Sequence, residues 1–228
     1  MLFNLYANEF ITSVRKLNLG CQVGENFMGC LMYADDLLLL SASVLDLQKM
    51  LDTCGLVGDE LRMSFNCAKS ACLVLGPNSS IKPGPMSING LEIKWVDKMK
   101  YLGVSLVTGK KFMVDLQETR RKFFISINTI LNKCKYASDI AKLNLIESHC
   151  LPVLLYGVDA LHLTSAQLKE LGSWWNAGYR KIFGYNKWES VKELIYQLGR
   201  LDIQHLVAMR RVIFVKRLSV YQNPFFKV

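Results

Sequence analysis

The 228-residue sequence lacks several features that would place it in a familiar class. It has three histidines and no C-x-x-C pair among its seven cysteines, and no spacing matches a zinc site. Its longest apolar run near the middle, LPVLLYGVDALHL, is too short to cross a bilayer and contains Asp159. We therefore expect neither a zinc site nor a membrane span.

An odd number of cysteines, several of them within apolar segments, favours reduced thiols packed as small hydrophobic groups. The first ten residues, MLFNLYANEF, have no basic leader and carry Glu9, which makes them a poor signal peptide. Both features favour an intracellular protein, and they do not separate nucleus from cytoplasm.

Acidic residues are scarce in the second half of the chain. The formal net charge is +9. Residues 1–109 contain 9 Lys and Arg against 10 Asp and Glu, net −1, whereas residues 110–228 contain 19 against 9, net +10. The positive electrostatic field of residues 110–228 favours a polyanionic partner for that half of the chain. The alternative is a basic surface that only keeps the protein soluble.

Short elements alternate in the first part of the chain. The pattern predicts an amphipathic helix at 2–17, two strands at 30–33 and 37–41 joined by a tight turn, and a helix capped by Ser43. The segment LRMSFNCAKSACLVLG is strand-like at both ends. Further strands are predicted in LEIKWV, after the turn signal Asn89-Gly90, and in KYLGVSLV.

The second part shows long helical periodicity instead. The pattern predicts helices at 112–136, 140–150, 152–163, 166–183 and 191–218, the last with a break near Gly199. We place a domain boundary between residues 108 and 111. The sequence thus predicts an α+β fold, with an α+β domain at 1–108 and an all-helical basic domain at 109–228.

Two adjacent aspartates interrupt the apolar stretch GCLMYADDLLLLSAS. Asp35 and Asp36 fall at the predicted hairpin tip between the two strands. One interpretation is local, because aspartate tolerates the backbone conformations that a two-residue turn needs. The other is chemical: Mg²⁺ prefers hard oxygen ligands and would remove the repulsion between the two carboxylates.

Several segments, arranged along the chain in the order of the family, resemble the reverse transcriptases of non-LTR, LINE-type retrotransposons. YADD resembles the catalytic hairpin, and the Asn66 and Lys69 pattern resembles the palm segment that follows. MKYLGVSL resembles the primer-grip hairpin, and LFNLYANEF resembles the helix after the glutamine-glycine nucleotide-pocket segment. LPVLLYGVDAL and the segment from WWNAGYRKIFG to LGRLDIQHL resemble the thumb and the helical region after it. The likeness extends over essentially the whole chain.

The resemblance implies a polymerase palm at 1–108, with helices on one face of a small antiparallel sheet, and a thumb and connection region at 109–228. It implies RNA-templated synthesis from a DNA primer by two Mg²⁺ ions. Asp35 and Asp36 would be catalytic metal ligands. Lys69 would neutralise or protonate the departing phosphate, and its alternative role is a solvated turn lysine. Tyr33, Tyr101 and Gly103 would contact primer or nucleotide, although Gly103 also suits a β-bulge.

The family's palm has a further metal-ligating aspartate on a strand upstream of the hairpin, and these 228 residues contain neither this strand nor the nucleotide-pocket segment. Two carboxylates from one turn do not hold two Mg²⁺ ions about 3.5 to 4 Å apart. We therefore expect no polymerase activity from this chain alone, and Mg²⁺ binding that is weak or absent. We also expect an unpaired sheet edge, which a complementing polypeptide would cover.

The basic half carries mixtures of cationic and aromatic residues. One lies around Arg120, Arg121 and Lys122, and the other includes Trp174, Trp175, Tyr179, Arg180 and Lys181. Such mixtures bind phosphates and stack bases, although aromatic residues at helical spacing also form cores. Two other functions stay open: an element-derived nucleic-acid-binding or scaffold protein without catalysis, and an unrelated metal-dependent phosphoryl-transfer enzyme.

Overall fold

The computed structural model describes residues 2–81 and 83–220, with side chains from Asn8 onward. The chain divides into two compact units. Unit 1 comprises residues 1–101 and 106–113, and unit 2 comprises residues 102–105 and 114–228. Along the sequence, residues 102–105 belong to unit 2 and residues 106–113 belong to unit 1 again, whereas the sequence pattern predicts a single boundary between residues 108 and 111.

Short strands and mostly longer helices make up the described chain. The strands are β1 (Gln22–Val23), β2 (Asn26–Phe27), β3 (Cys30–Tyr33), β4 (Asp36–Leu39), β5 (Ala71–Cys72), β6 (Met86–Ile88), β7 (Leu91–Trp95), β8 (Lys98–Tyr101), β9 (Val104–Val107) and β10 (Met113–Asp115). The helices are α1 (Leu2–Lys16), α2 (Val44–Glu60), α3 (Gln117–Lys133), α4 (Asp139–His149), α5 (Leu151–Leu154), α6 (Ser165–Phe183), α7 (Lys192–Gln197) and α8 (Ile203–Val220).

Helices α1 and α2 share a core with the short strands of unit 1. Its buried members are Phe10, Val14, Cys30, Met50, Cys54, Val57, Cys72, Met86, Ile88 and Ile93. The predicted capping of α2 is confirmed, because the Ser43 side chain accepts a hydrogen bond from the backbone N–H of Asp46 at 3.3 Å. The apolar face predicted for α1 includes Phe3, Tyr6 and Ala7, whose side chains lie outside the described residues.

The β structure of the described chain forms four small sheets rather than one. The strand orders are β1-β2, β3-β4, β5-β7-β6 and β8-β9-β10. The β6–β7 hairpin is antiparallel and turns at Asn89 and Gly90, whose φ angles of 49° and 75° suit the predicted turn. By contrast β5 pairs with β7 in parallel, which the prediction of a single antiparallel sheet did not include.

Two predicted elements are wrong. Residues 61–65 form no strand, because the chain turns back at the end of α2, where Met63 N–H donates to the Gly58 carbonyl at 2.7 Å. Phe65 then packs edge-on against Phe10. The helix predicted at 152–163 is limited to Leu151–Leu154. Gly157 follows in a left-handed conformation, with φ of 71°, and ends the helical periodicity.

Unit 2 is built mainly from helices around an aromatic core. Phe123, Trp175 and Tyr179 are almost fully buried, and their rings contact one another in sequence at centroid distances of 6.2 and 5.5 Å. Helix α6 begins with a capping box formed by Thr164 and Gln167 and ends at Gly184 in a left-handed conformation. These signals explain why its observed bounds match the predicted helix at 166–183 closely.

All seven cysteines are free thiols, as predicted. Cys30, Cys54 and Cys72 are buried in unit 1, and Cys150 is buried in unit 2. Burial raises the pKa of Cys30, Cys72 and Cys150 to about 11. The pKa of Cys54 rises to about 12, mainly through burial and further through the neighbouring Cys30 thiol. These groups are packed as neutral hydrophobic side chains.

The fold is α+β: helices combine with small, mostly antiparallel sheets. The second unit also contains Val114 and Asp115 of β10 before its first helix, so it is not wholly helical. Across the parts of the chain that the structure describes, none of the helices combines the length and the apolar character that crossing a membrane would require.

Candidate functional site

The two aspartates lie at the tip of the β3–β4 hairpin in unit 1, where the sequence predicts a tight turn. Strands β3 and β4 pair in antiparallel register with Tyr33 opposite Asp36, so Ala34 and Asp35 form the loop. Ala34 adopts a φ of 53°, which is uncommon for a residue with a Cβ. The tight turn places Asp35 at the tip and Asp36 at the first position of the returning strand.

The hairpin tip is exposed, whereas its base is anchored. Tyr33 is 66% exposed, and Asp35 and Asp36 are also exposed. Cys30 at the other end of β3 is buried in the core, and Leu40 N–H donates to the Gly29 carbonyl at 2.8 Å. The strands are half-buried between these ends. The fold therefore presents both carboxylates to solvent from an anchored base.

Carboxylate oxygens are the ligands that Mg²⁺ prefers, so the tip has suitable donor chemistry for one ion. A two-ion site needs more ligands than one turn supplies. Among the described side chains, no group of three or more His, Cys, Asp or Glu residues is placed to hold a metal ion. The described residues therefore do not complete the two-metal site that the resemblance implies, and no catalytic step through Mg²⁺ follows from them.

Tyr101, at the end of β8, lies near this tip within unit 1. Partial burial, and then the negative charge of Asp36, raise the pKa of Tyr101 above its ordinary value. The structure thus brings together three residues assigned to the site from the sequence. Tyr33 faces Asp36 across the hairpin, and Tyr101 approaches Asp36 from a different sheet.

Gly103 is the second residue of the turn that joins β8 to β9. Leu102 and Gly103 have φ angles of 45° and 82°, which is the two-residue geometry that requires left-handed residues. A Cβ on Gly103 would lie 3.0 Å from Cε1 of Tyr156, whose hydroxyl donates to the Leu102 carbonyl at 3.0 Å. The positive φ of Gly103 and the close approach of the Tyr156 ring both favour glycine at this position.

Lys69 belongs to a local turn. Its backbone N–H donates to the carbonyl of Asn66 at 3.0 Å and to the Asn66 side chain at 3.2 Å, and its own side chain is exposed. In the described part of the chain no hydrogen bond or ion pair joins Lys69 to Asp35 or Asp36. The Asn66 and Lys69 pattern is accounted for by this turn, and the catalytic role of Lys69 stays a prediction.

The three cationic residues predicted to bind nucleic acid are exposed on α3 in unit 2, but their surroundings differ. The Arg120 guanidinium lies 5.8 Å from the ring centre of Trp174. Lys122 pairs with Glu118 at 2.9 Å beside a cavity of about 420 Å³. Arg121 has no hydrogen bond, ion pair or ring contact among the described residues. An exposed ion pair contributes about 0–1 kcal/mol, so a phosphate can compete for Lys122.

The second aromatic and basic cluster does not offer rings for stacking. Trp174 is 7% exposed and Trp175 and Tyr179 are 1% exposed, so all three belong to the core of unit 2. The hydroxyl of Tyr179 contacts Glu147 at 3.4 Å, and Glu147 pairs with Arg200 at 3.2 Å. The periodicity of these residues reflected packing, which is the alternative that the sequence left open.

Trp188, in the connection between α6 and α7, was not among the site residues predicted from the sequence. This tryptophan is 87% exposed, and the ammonium of Lys187 lies 4.9 Å from the centre of its ring. Its sequence context, GYNKWES, was a usable signal, because a tryptophan flanked by polar residues outside any helical periodicity has no place in a core.

No model of a protein family matches this chain, and no curated protein matches it. The interpretation of the site therefore depends on the residues themselves and on the geometry described above.

Proposed function

We propose that this chain is part of an RNA-directed DNA polymerase of the non-LTR retrotransposon type, with palm residues in unit 1 and thumb and connection residues in unit 2. Its partners are an RNA template and a DNA primer, and the complete enzyme transfers nucleotides with two Mg²⁺ ions. The observation that carries the proposal is the anchored hairpin with Asp35 at its tip and Tyr101 beside Asp36. Under the proposal, this arrangement places a primer end beside the metal ligands.

These 228 residues alone do not polymerise under this proposal. The tip carboxylates lack the further ligand that would let two ions sit side by side. Among the described strands, β3 and β4 form a sheet of two, which leaves an edge for another polypeptide segment to complete. We expect that segment to supply the additional carboxylate, either from a longer form of the chain or from a separate polypeptide.

Two experiments test the proposal. The nucleotide sequence upstream of the Met1 codon is expected to encode, in frame, a strand with an aspartate and a glutamine-glycine segment. Primer extension on an RNA template with Mg²⁺ is expected to show no incorporation by this chain. Incorporation that is lost in Asp35→Asn would show that the chain completes its own metal site and would contradict the inactivity.

A second candidate function is nucleic-acid binding without catalysis, by a protein derived from such an element. The exposed cationic residues of α3 favour it, since they do not depend on the hairpin carboxylates. The two candidate functions predict different nucleotide sequences upstream of the Met1 codon. An absence of the aspartate strand from the transcript, together with salt-dependent binding of nucleic acid, would favour the second.

A further inference from the structure

The loop that follows α6 is fixed by its own hydrogen bonds. Gly184 turns the chain in a left-handed conformation, and Tyr185 N–H donates to the Arg180 carbonyl at 3.1 Å. The Arg180 side chain reaches across the loop and donates from Nε to the Glu189 carbonyl at 2.8 Å. Asn186 N–H donates to the Glu189 carboxylate, and Glu189 N–H donates to the Asn186 carbonyl. This network closes the turn that carries Lys187 and Trp188.

An exposed tryptophan has no special meaning when it stands alone on a mobile segment. Trp188 differs because both sides of its turn are hydrogen-bonded, which reduces the conformational freedom that a bound ligand would have to remove. The Lys187 ammonium, 4.9 Å from the ring centre, is in range for a cation–π contact on one face of the indole. With 87% of the residue exposed, the rest of the ring is accessible to a ligand.

The charge around the loop favours an anionic ligand. Residues 180–193 contain four cationic side chains, from Arg180, Lys181, Lys187 and Lys192, and two anionic ones. Both anionic groups already accept hydrogen bonds, Glu189 from Asn186 and Glu193 from Gln197. A flat aromatic ring with cationic neighbours is the combination that binds single-stranded nucleic acid, where the ring stacks on a base and the cations contact phosphates.

We propose that residues 184–192 form a binding site for single-stranded nucleic acid in which one base stacks on Trp188 while Lys187 contacts the adjacent phosphate. A duplex is disfavoured, because its bases are already stacked on one another and offer no free face to the ring. This inference rests on the nucleic-acid partner of the proposed function, but it does not depend on the hairpin carboxylates or on catalysis.

The test is equilibrium binding of a labelled oligodeoxythymidylate of about 16 nucleotides to the full chain, measured by fluorescence anisotropy. Stacking of one base contributes about 1–3 kcal/mol, so Trp188→Ala is expected to weaken binding roughly 5- to 150-fold. Trp188→Phe keeps an aromatic face and is expected to retain most of the affinity. The side chain is exposed, so neither change is expected to unfold the protein, which circular dichroism checks.

Tyr196→Ala is the matched control. Tyr196 is also an exposed aromatic residue of unit 2, at 79%, but no cation lies over its ring among the described contacts. Tyr196→Ala is expected to bind as the unchanged protein does. Equal affinities of Trp188→Ala and the unchanged protein would overturn the stacking site and leave the polymerase proposal standing. A complete failure of the unchanged protein to bind the oligonucleotide would overturn this inference and also count against the nucleic-acid partner.

Discussion

Tyr101 and Asp36, both residues of unit 1, interact electrostatically although they lie in different sheets. The Asp36 carboxylate adds to partial burial in raising the pKa of the Tyr101 phenol. The interaction links the β3–β4 hairpin, which carries the two aspartates, to the end of β8. It is also the tertiary relationship in the candidate site that can be measured most directly without any nucleic acid.

Asp36→Asn is expected to lower the pKa of Tyr101 toward the ordinary value of about 10, because it removes the negative charge while burial remains. Folding favours the protonated phenol when the pKa is raised, so its contribution to stability is present below about pH 10 and is lost as pH rises through the raised value. Asp36→Asn should therefore reduce the loss of stability at alkaline pH. NMR titration of ring-labelled tyrosine measures the shift.

Asp35→Asn is the control for that titration. Asp35 is not among the groups that shift the pKa of Tyr101, so its replacement is expected to leave the titration nearly unchanged. An equal effect of the two substitutions would contradict the specific placement of Asp36 beside Tyr101.

Gly103→Ala is expected to destabilise the protein by more than Gly90→Ala. Both glycines are second in two-residue turns with positive φ, so each substitution carries a backbone cost of about 1 kcal/mol. The Cβ at position 103 would in addition meet the Tyr156 ring at 3.0 Å, whereas position 90 has nothing within 4 Å. Chemical denaturation measures both free energies of unfolding.

A double-mutant cycle with Tyr156→Ala isolates the ring contact. The extra cost of Gly103→Ala should disappear when the ring is absent. If the cost persists, the contact with Tyr156 is not what requires glycine there.

Asp202→Ala is expected to lower the free energy of unfolding by about 1 kcal/mol at neutral pH, because Asp202 caps the start of α8. Its side chain accepts a hydrogen bond from His205 N–H at 2.9 Å and contacts the His205 ring at 2.8 Å. Partial burial acts to raise the pKa of Asp202, but the hydrogen bonds and charge of His205 outweigh it, and the pKa falls below its ordinary value.

The lowered pKa of Asp202 determines how its contribution to stability changes with pH. The stabilisation from the Asp202 carboxylate is present above the unfolded value of about 3.9 and is lost as pH falls through the folded value. The difference between Asp202→Ala and the unchanged protein should therefore shrink under acid conditions. Asp202→Asn retains a side-chain acceptor and should keep most of the stability at neutral pH, while its stability varies less with pH. A constant difference at all pH values would contradict the ionised cap.

Arg121→Gln is expected to weaken nucleic-acid binding and to reduce the salt dependence of binding. Each phosphate contact contributes about 0.9 to the slope of log affinity against log salt concentration on a duplex. Arg121 has no partner among the described residues, so its guanidinium is available, whereas Lys122 is paired with Glu118. Lys122→Gln is expected to weaken binding less than Arg121→Gln does. If the affinity for nucleic acid does not change with salt concentration, the electrostatic interpretation is wrong.

Capping and turn residues in the sequence correctly predicted the elements whose ends depend only on neighbouring residues. Ser43 caps α2, and the Asn89-Gly90 turn forms a hairpin, because side-chain and backbone preferences of a few neighbouring residues are sufficient. The opposite reason explains why the strand at 61–65 and the full helix at 152–163 were predicted wrongly. Phe65 packs on a residue of α1, and the backbone conformation of Gly157 breaks an apolar pattern that is otherwise helical.

In the candidate site, too, features set by neighbouring residues could be predicted and features set by tertiary packing could not. The position of Asp35 at a hairpin tip could be predicted, since the flanking apolar strands determine the turn. The approach of Tyr101 to Asp36 could not be predicted, because it depends on tertiary contacts between residues far apart in the sequence. The exposure of Trp188 and the burial of Trp174 are likewise tertiary properties, which composition and helical spacing do not distinguish.

The buried cysteines give each unit an internal chemical reporter. A thiol reagent reacts with the thiolate, so Cys54 in unit 1 and Cys150 in unit 2 become reactive only when their surroundings open to water. Alkylation rates at these two positions would therefore register separately how often each half of the molecule loosens.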